Sequence, residues 1–446
     1  MGNIISSPKY TYRDLTVVPS ETTDIEHRDE INVRIKDSDI SGENGMFPIF
    51  TAPMDSVVNE YNYMAFKKNG IIPIINGTVN IKKRLELTRL GEWCGYSLIE
   101  FDSIFNNDDD ISVYEGMTEV KVLIELANGH MKHILKSAKQ AKELVKKRYA
   151  DKCRLVLMSG NIANPRAYTN YCKAGIDYVR CSIGTGSCCL TASNAAVYYP
   201  PASLVSEILE IKRKTPEIKG WTRTKIIADG GIKNFSDAIV AFACGADYVM
   251  IGGLFSSFFE SCAMFDKKYC FSNTSDGYFD GVKDNGEFVF VVKIRPWSNE
   301  ICKEYDSLVN KYSLPEYKIV YSLDVKIMYI SLTIEQMQID EIARWVIKNT
   351  TLSKSAHGMS TKEAQRNRLI GSGCVSEEDV SKMKLKTSEG KTITNDVIYT
   401  IKKWTDNFES LIRSTLSYCN KRDIVDFIGN VVLVPKSQGC FESVNR

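Results

Sequence analysis

The sequence predicts an α/β fold: a (β/α)8 TIM barrel with a small α+β insertion after the eighth strand and a mobile flap. Three observations carry this expectation. Eight short runs rich in Ile, Val, Leu, Tyr and Phe recur through the first 255 residues, near-continuous as fully buried parallel strands should be. Helical patterns lie between several of them. Glycine or small polar residues follow most of the runs, at the positions where a barrel gathers its functional groups. An open doubly wound sheet is the runner-up. It would place a Gly-x-Gly-x-x-Gly after the first strand, and the sequence has none there.

The strand runs are Pro48–Met54, Ile71–Asn76, Tyr96–Phe101, Lys121–Ala127, Arg154–Ser159, Tyr178–Ile183, Lys225–Ala228 and Tyr248–Ile251. The clearest helix is Lys132–Tyr149, with Ile134, Ala138, Ala141 and Val145 on one face. From about Asp266 to Thr350 the rhythm breaks. A strand-like run at Gly286–Ile294 precedes a helix bearing Ile301, Tyr305, Leu308 and Tyr312. Two strand-like runs, Tyr317–Leu323 and Val325–Leu332, and an amphipathic helix at Thr333–Asn349 follow. That order is enough for an α+β module acting as lid, oligomer contact or partner site. Beyond it, the polar segment to Thr394 has little apolar periodicity, as in a flap. A final helix near Asn395–Tyr418 would complete the barrel. The expected organisation is therefore residues 1–265 as the main part of the barrel, 266–350 as the inserted module, and 351–446 as flap and last barrel helix.

Bulk properties exclude several classes. The 446 residues carry 25% charged side chains and a net charge of +2, with no basic cluster interleaved with aromatics, so no nucleic-acid partner is expected. The 13 Cys are scattered and no secretory signal precedes them, which fits thiols in a reducing, cytoplasmic compartment. No apolar run approaches the roughly 18 residues of a membrane span. His130 and His133 have ligand-like spacing, but no Cys pair or second His pair completes a zinc site. Met1-Gly2-Asn3-Ile4-Ile5-Ser6 fits the myristoylation pattern at Gly2, and membrane contact is expected only if Gly2 is acylated.

The chemistry concentrates after the sixth strand run, in Cys181-Ser182-Ile183-Gly184-Thr185-Gly186-Ser187-Cys188-Cys189-Leu190-Thr191. Glycines allow close backbone approach to a ligand, and a thiol in such a loop can act as a covalent nucleophile. The plain alternative is a buried structural Cys beside a tight turn. The pairs Gly230-Gly231 and Gly252-Gly253 follow the seventh and eighth strands, where barrels bind phosphate through backbone N–H groups. Asp229, just before the first pair, can accept hydrogen bonds from ribose hydroxyls or serve as a helix cap.

Taken together, the motifs resemble the IMP dehydrogenase/GMP reductase family over roughly residues 10–262 and 356–446. They are Ala52-Pro53-Met54-Asp55-Ser56-Val57, Ala127-Asn128-Gly129-His130, the Gly184–Cys189 loop, Ile227-Ala228-Asp229-Gly230-Gly231, Ile251-Gly252-Gly253, Gly358-Met359-Ser360 and Ser388-Glu389-Gly390-Lys391-Thr392. The resemblance implies that Cys189 attacks C2 of a purine nucleotide, with Thr191 and Glu389 as a proton-relay pair. It implies that Ser187, Gly231, Gly252 and Gly253 hold the 5′-phosphate, that Asp229 holds the ribose, that Met359 and Ser360 meet the base, and that Gly230 and Ser388 also bind substrate. Glu125, Asn128, Gly129 and Lys386 fall at the cofactor side, for NADPH or NADH. The backbone carbonyls of Gly184, Gly186 and Cys189 resemble the family's monovalent-cation site, implying K⁺. The family also implies a homotetramer.

Within the family, the sequence resembles GMP reductase more than IMP dehydrogenase. The second strand run ends at Asn76 and the fourth begins at Lys121, leaving no room for the regulatory domain that IMP dehydrogenases usually carry there. Gly373-Cys374 stands where their flap has an Arg-Tyr pair. Ser388–Thr392, and Arg413-Ser414-Thr415 with Tyr418, resemble GMP reductase. The Ala52-Pro53-Met54 segment leans the other way. The implied activity is NADPH-dependent reductive deamination of GMP to IMP and ammonia through a Cys189 thioimidate. The alternatives are an IMP dehydrogenase lacking the regulatory domain and a non-catalytic purine-nucleotide-binding barrel. Several positions depart from the family's pattern, at the cofactor side and at the phosphate. Glu125 replaces an Asp, Ala192 an Arg, Lys386 an Arg and His357 a Tyr, which points to altered cofactor or substrate preference.

Overall fold

A computed structural model describes residues 7–36, 45–108, 112–265, 279–284, 287–294, 298–322, 325–337, 339–350, 352–373, 377–383, 385 and 387–437. The chain divides into two compact units. One is Met1–Leu254 with His357–Lys391 and Asn407–Arg446; the other is Phe255–Ala356 with Thr392–Asp406.

The first unit is a TIM barrel. Its eight strands are Ile49–Thr51, Ile74–Ile75, Trp93–Tyr96, Glu119–Ile124, Arg154–Ile162, Tyr178–Cys181, Lys225–Asp229 and Tyr248–Ile251. Every neighbouring pair in the sheet is parallel, from the second strand round to the first, which lies beside the eighth through Ile49↔Val249 and Thr51↔Ile251. The ring closes at Ile72, which bridges Phe50. Ile72 N–H donates to the Ile49 carbonyl at 2.9 Å, and Thr51 N–H donates to the Ile72 carbonyl at 2.9 Å.

The strands are buried nearly throughout, which explains their continuous apolar runs. Phe50, Trp93, Tyr178 and Tyr248 interlock with ring centroids 5.1–5.9 Å apart. Trp93, Tyr178 and Tyr248 each open their strands, so this aromatic layer fills the N-terminal end of the barrel. The opposite, C-terminal end is left for loops. Helix Lys132–Tyr149 forms as the periodicity predicts, with Ile134, Ala138, Ala141 and Val145 buried.

One strand differs from the sequence expectation. The third is Trp93–Tyr96, and most of the predicted run Tyr96–Phe101 belongs to helix Leu98–Phe105. Ser97 and Glu100 form a capping box that starts this helix just after the strand: Glu100 N–H donates to Ser97 Oγ at 3.3 Å and Ser97 N–H to Glu100 Oε2 at 2.7 Å. The polar segment after Gly358 is also more ordered than its composition predicts. It contains helices Lys362–Gly371 and Glu377–Lys382, the first capped by Thr361.

The second unit carries a four-stranded antiparallel sheet in the order Phe279–Asp284, Glu287–Ile294, Val325–Thr333, Lys318–Ser322. Val292, Ile294, Met328, Ile330 and Leu332 pack with Tyr305 and Leu308 of helix Asn299–Tyr312 and with Ile342, Trp345 and Val346 of helix Asp340–Asn349. Strand Phe279–Asp284 is additional to those marked by the sequence pattern, and the single helix expected at Thr333–Asn349 is divided into Ile334–Met337 and Asp340–Asn349. Among the described residues no helix is long and apolar enough to cross a membrane. Gly2 lies outside the described residues.

Candidate active site

The loop after the sixth strand lies at the C-terminal mouth of the barrel. Cys188 is buried, whereas Cys189 is partly exposed, so the two adjacent thiols have different access. Cys189 Sγ donates to Thr191 Oγ1 at 3.2 Å, and Thr191 Oγ1 donates to Glu389 Oε2 at 2.7 Å. Backbone pairing fixes this line. Leu190 N–H donates to the Glu389 carbonyl at 2.7 Å, Lys391 N–H donates to the Cys188 carbonyl at 2.9 Å, and Cys189 forms an antiparallel bridge with Gly390. A thiol, a hydroxyl and a carboxyl from segments far apart in the chain thus form one hydrogen-bonded row.

The Gly358-Met359-Ser360 turn belongs to the same place. A Cβ on Gly358 would meet the Cys188 carbonyl oxygen at 2.7 Å, and a Cβ on Gly390 would meet Ser360 Oγ at 3.0 Å. Ser388 Oγ closes a tight turn by donating to the Gly390 carbonyl at 2.9 Å.

Asp229 ends the seventh strand and is the centre of a second cluster. Its Oδ2 accepts from Arg180 Nε at 2.9 Å and from Asn161 Nδ2 at 2.5 Å, with Arg180 Nη2 at 2.8 Å. Arg180 comes from the sixth strand. Asn161 comes from the fifth, where the register shifts between Gly160 and Ile162. Such an irregularity re-aims a side chain. Ser182 Oγ donates to the Asp229 carbonyl at 2.6 Å. Gly230 has φ +86° and packs against the Cys189 loop, since a Cβ there would lie 2.7 Å from Thr185 Oγ1. The first phosphate-type glycine pair therefore adjoins the Cys189 loop. Gly252, at the end of the eighth strand, packs against Met54 and Ala52 beyond the first, and Gly253 follows it.

Other expected residues are engaged differently. Glu125, at the end of the fourth strand, is buried and ion-paired with Arg368 of helix Lys362–Gly371. Its Oε2 accepts from Gly77 N–H at 3.1 Å. Asn128 Oδ1 accepts from His130 N–H at 3.0 Å. Both backbone groups of Gly129 bond within the barrel, the N–H to the Asn161 carbonyl at 3.0 Å and the carbonyl from Tyr171 Oη at 2.8 Å. Lys386 and Cys374 lie outside the described residues. His357 Nε2 stands 3.0 Å from Asp55 Oδ2, and this hydrogen bond raises the imidazole pKa above its ordinary value despite partial burial. The Gly186 carbonyl accepts from Cys189 N–H at 2.9 Å.

Sequence reasoning assigned no role to Arg180, Asn161 or Arg368, although Gly160-Asn161 stands at a strand end. Arg180 carried a signal, being a cation inside a buried apolar run, which demands a buried anion. Asn161 carried a weaker one, following a strand-end glycine. Arg368 carried none.

Residues 108–270 match the sequence model of the IMP dehydrogenase / GMP reductase domain. That segment, about a third of the chain, is what resembles the IMP dehydrogenase/GMP reductase family. It is 25% identical to a GMP reductase of Caenorhabditis elegans over 279 residues, 58% of this chain and 70% of that protein. It is 31% identical to human GMP reductase 1 over 153 residues, 34% of this chain and 40% of that protein. It is 36% identical to an inosine-5′-monophosphate dehydrogenase of Chlorobaculum parvum over 140 residues, 31% of this chain and 26% of that protein. The chain thus spans under half the length of the last two. The matched family segment runs through the fourth to eighth barrel strands and includes Cys189, Thr191, Arg180 and Asp229.

Proposed function

We propose that this chain is a GMP reductase-like oxidoreductase that converts GMP to IMP and ammonia through a covalent thioimidate on Cys189. The observation that carries the reading is the row Cys189 Sγ–Thr191 Oγ1–Glu389 Oε2, at 3.2 and 2.7 Å. It supplies a nucleophile with a continuous path for its proton. As sulfur bonds to the purine C2, the thiol proton passes through Thr191 to Glu389. Glu389 returns a proton to the 2-amino group, which leaves as ammonia when its bond to C2 breaks. The thioimidate carbon is a better hydride acceptor than the neutral purine. When the C2–sulfur bond breaks, the departing thiolate regains a proton from solvent through the same relay.

Around that carbon, Ser187, Gly231, Gly252 and Gly253 would hold the phosphate, Asp229 and Gly230 the ribose, and Met359, Ser360 and Ser388 the base. The Asp229 clamp supports this, because three donors on Oδ2 leave Oδ1 to accept from ribose hydroxyls. NADPH, or NADH as the other donor, would supply the hydride when bound. Glu125, Asn128 and Gly129 would face it, and the resemblance assigns Lys386, outside the described residues, to the same ligand. The buried Glu125 carboxylate fits a ligand rich in hydroxyls, although Arg368 shares it. The carbonyls of Gly184, Gly186 and Cys189 would be the groups to hold a K⁺ ion; the Gly186 oxygen accepts from Cys189 N–H and has a second lone pair. A cytoplasmic homotetramer is the expected form.

A second reading, IMP dehydrogenase without the regulatory domain, is favoured by the 36% identity to the Chlorobaculum enzyme. Incubation with GMP and NADPH, and separately with IMP and NAD⁺, decides between them. Ammonia release and NADPH oxidation are expected in the first. Turnover only in the second would overturn the GMP reductase reading.

A further inference from the structure

Cys189 is preceded by a second thiol, Cys188, to which the proposed reaction gives no task. We infer that Cys188-Cys189 is a peroxide-sensitive modification site, in which oxidation of Cys189 is resolved by Cys188 to a reversible vicinal disulfide that frees the flap. The inference rests on Cys189 being the accessible, reactive thiol of the site just described. It does not require GMP to be the substrate.

The two thiols divide the chemistry by access. Cys188 is 5% exposed and packs against Gly358. It is a poor first target. Cys189 is partly exposed, so peroxide meets it first. The Cys189 thiolate displaces hydroxide from hydrogen peroxide, forming an S–O bond as the O–O bond breaks; sulfur is oxidised to sulfenic acid. Cys188 sulfur then attacks Cys189 sulfur, the S–O bond breaks, and water leaves with the Cys188 proton.

Sequence adjacency makes such a bond labile. Consecutive Cα atoms stand about 3.8 Å apart across a trans peptide, below the roughly 4.4–6.8 Å that disulfides ordinarily span. Strained disulfides are more readily reduced, and they are the regulatory ones. The strain falls on the peptide that is zipped to the flap. The Cys188 carbonyl holds Lys391 N–H at 2.9 Å and Leu190 N–H holds the Glu389 carbonyl at 2.7 Å. Twisting the Cys188–Cys189 peptide breaks this pairing and withdraws Glu389 from Thr191.

The test treats the full-length chain with hydrogen peroxide, alkylates it under denaturing conditions, and locates the products by peptide fragmentation. The expected product is a loss of two hydrogens between Cys188 and Cys189, undone by dithiothreitol. In Cys188→Ser, and in Cys188→Ala as a second variant with its melting curve checked, Cys189 should advance to sulfinic acid that dithiothreitol does not reverse. Tryptic cleavage after Lys391 should quicken about tenfold in the oxidised wild type, because cleavage follows the population of opened segment. Wild-type Cys189 found as sulfinic acid with Cys188 fully alkylated would overturn the inference, as would a disulfide to a third cysteine or an unchanged cleavage rate. Because the readouts are masses and cleavage, loss of the GMP reductase reading leaves them interpretable.

Discussion

Replacing Arg180 by Met removes the cation that neutralises Asp229 while keeping most of the buried stem. Both side chains are about nine-tenths buried, at 11% and 10% exposure. Two guanidinium nitrogens stand 2.9 and 2.8 Å from Asp229 Oδ2. Charge-assisted hydrogen bonds contribute about 1.5–3 kcal/mol each, so losing two removes about 3–6 kcal/mol. Removing one partner of a buried ion pair costs about 3–5 kcal/mol by a separate route, and the two ranges agree. Packing adds little, because Met nearly preserves the volume. Hydrogen exchange of the sixth and seventh barrel strands reads the barrel alone, apart from the second unit. It should show opening made easier by about 3–5 kcal/mol. Adding Asp229→Asn should recover part of the loss, since the stranded charge is then gone. A cost under about 1 kcal/mol, as for a solvent-screened surface pair, would refute the argument that Arg180 and Asp229 form a buried clamp.

Glu389→Gln keeps the flap backbone but takes away the carboxylate at the end of the row, the proposed proton acceptor, and GMP turnover should fall about 100- to 10,000-fold with nucleotide binding little changed; an unchanged kcat would remove Glu389 from the relay. Gly129→Ala would set a Cβ 2.6 Å from the Asn161 carbonyl oxygen and 2.7 Å from the Gly160 carbonyl carbon, both backbone atoms. It should destabilise the barrel by about 1–3 kcal/mol in thermal unfolding. The His357–Asp55 bond stabilises the folded chain through a raised imidazole pKa. Its contribution is therefore fully present below pH 6.5 and is lost as pH rises through the raised value. His357→Asn should flatten that part of the stability–pH profile, and an unaltered slope would discount the bond.

The barrel was legible because parallel strands buried on both faces read as continuous apolar runs. The third strand was not, because the apolar character of Trp93–Tyr96 continues past Ser97 into Leu98, Ile99 and Phe101, and only the Ser97/Glu100 capping box separates strand from helix. The strand also contains Gly95, where a Cβ would meet Glu125 Oε2 at 2.6 Å. That constraint is tertiary and leaves no local pattern. The site divides in the same manner. Cys189 and the glycines after the seventh and eighth strands announce themselves by type and place. That Glu389 reaches Thr191 depends on backbone pairing between segments 198 positions apart, which residue spacing does not encode. Arg368 went unnoticed because its helix was read as flap, although Thr361 is an N-cap residue.

The central claim is that Cys189 carries the purine as a covalent intermediate. The most direct measurement quenches the chain with acid during turnover of GMP and NADPH and weighs the peptide containing Cys189. The account predicts a purine nucleotide adduct on Cys189, formed with loss of ammonia and absent in Cys189→Ala, which should not turn over. Steady turnover with Cys189 unmodified at every quench time, or an active Cys189→Ala variant, would contradict it.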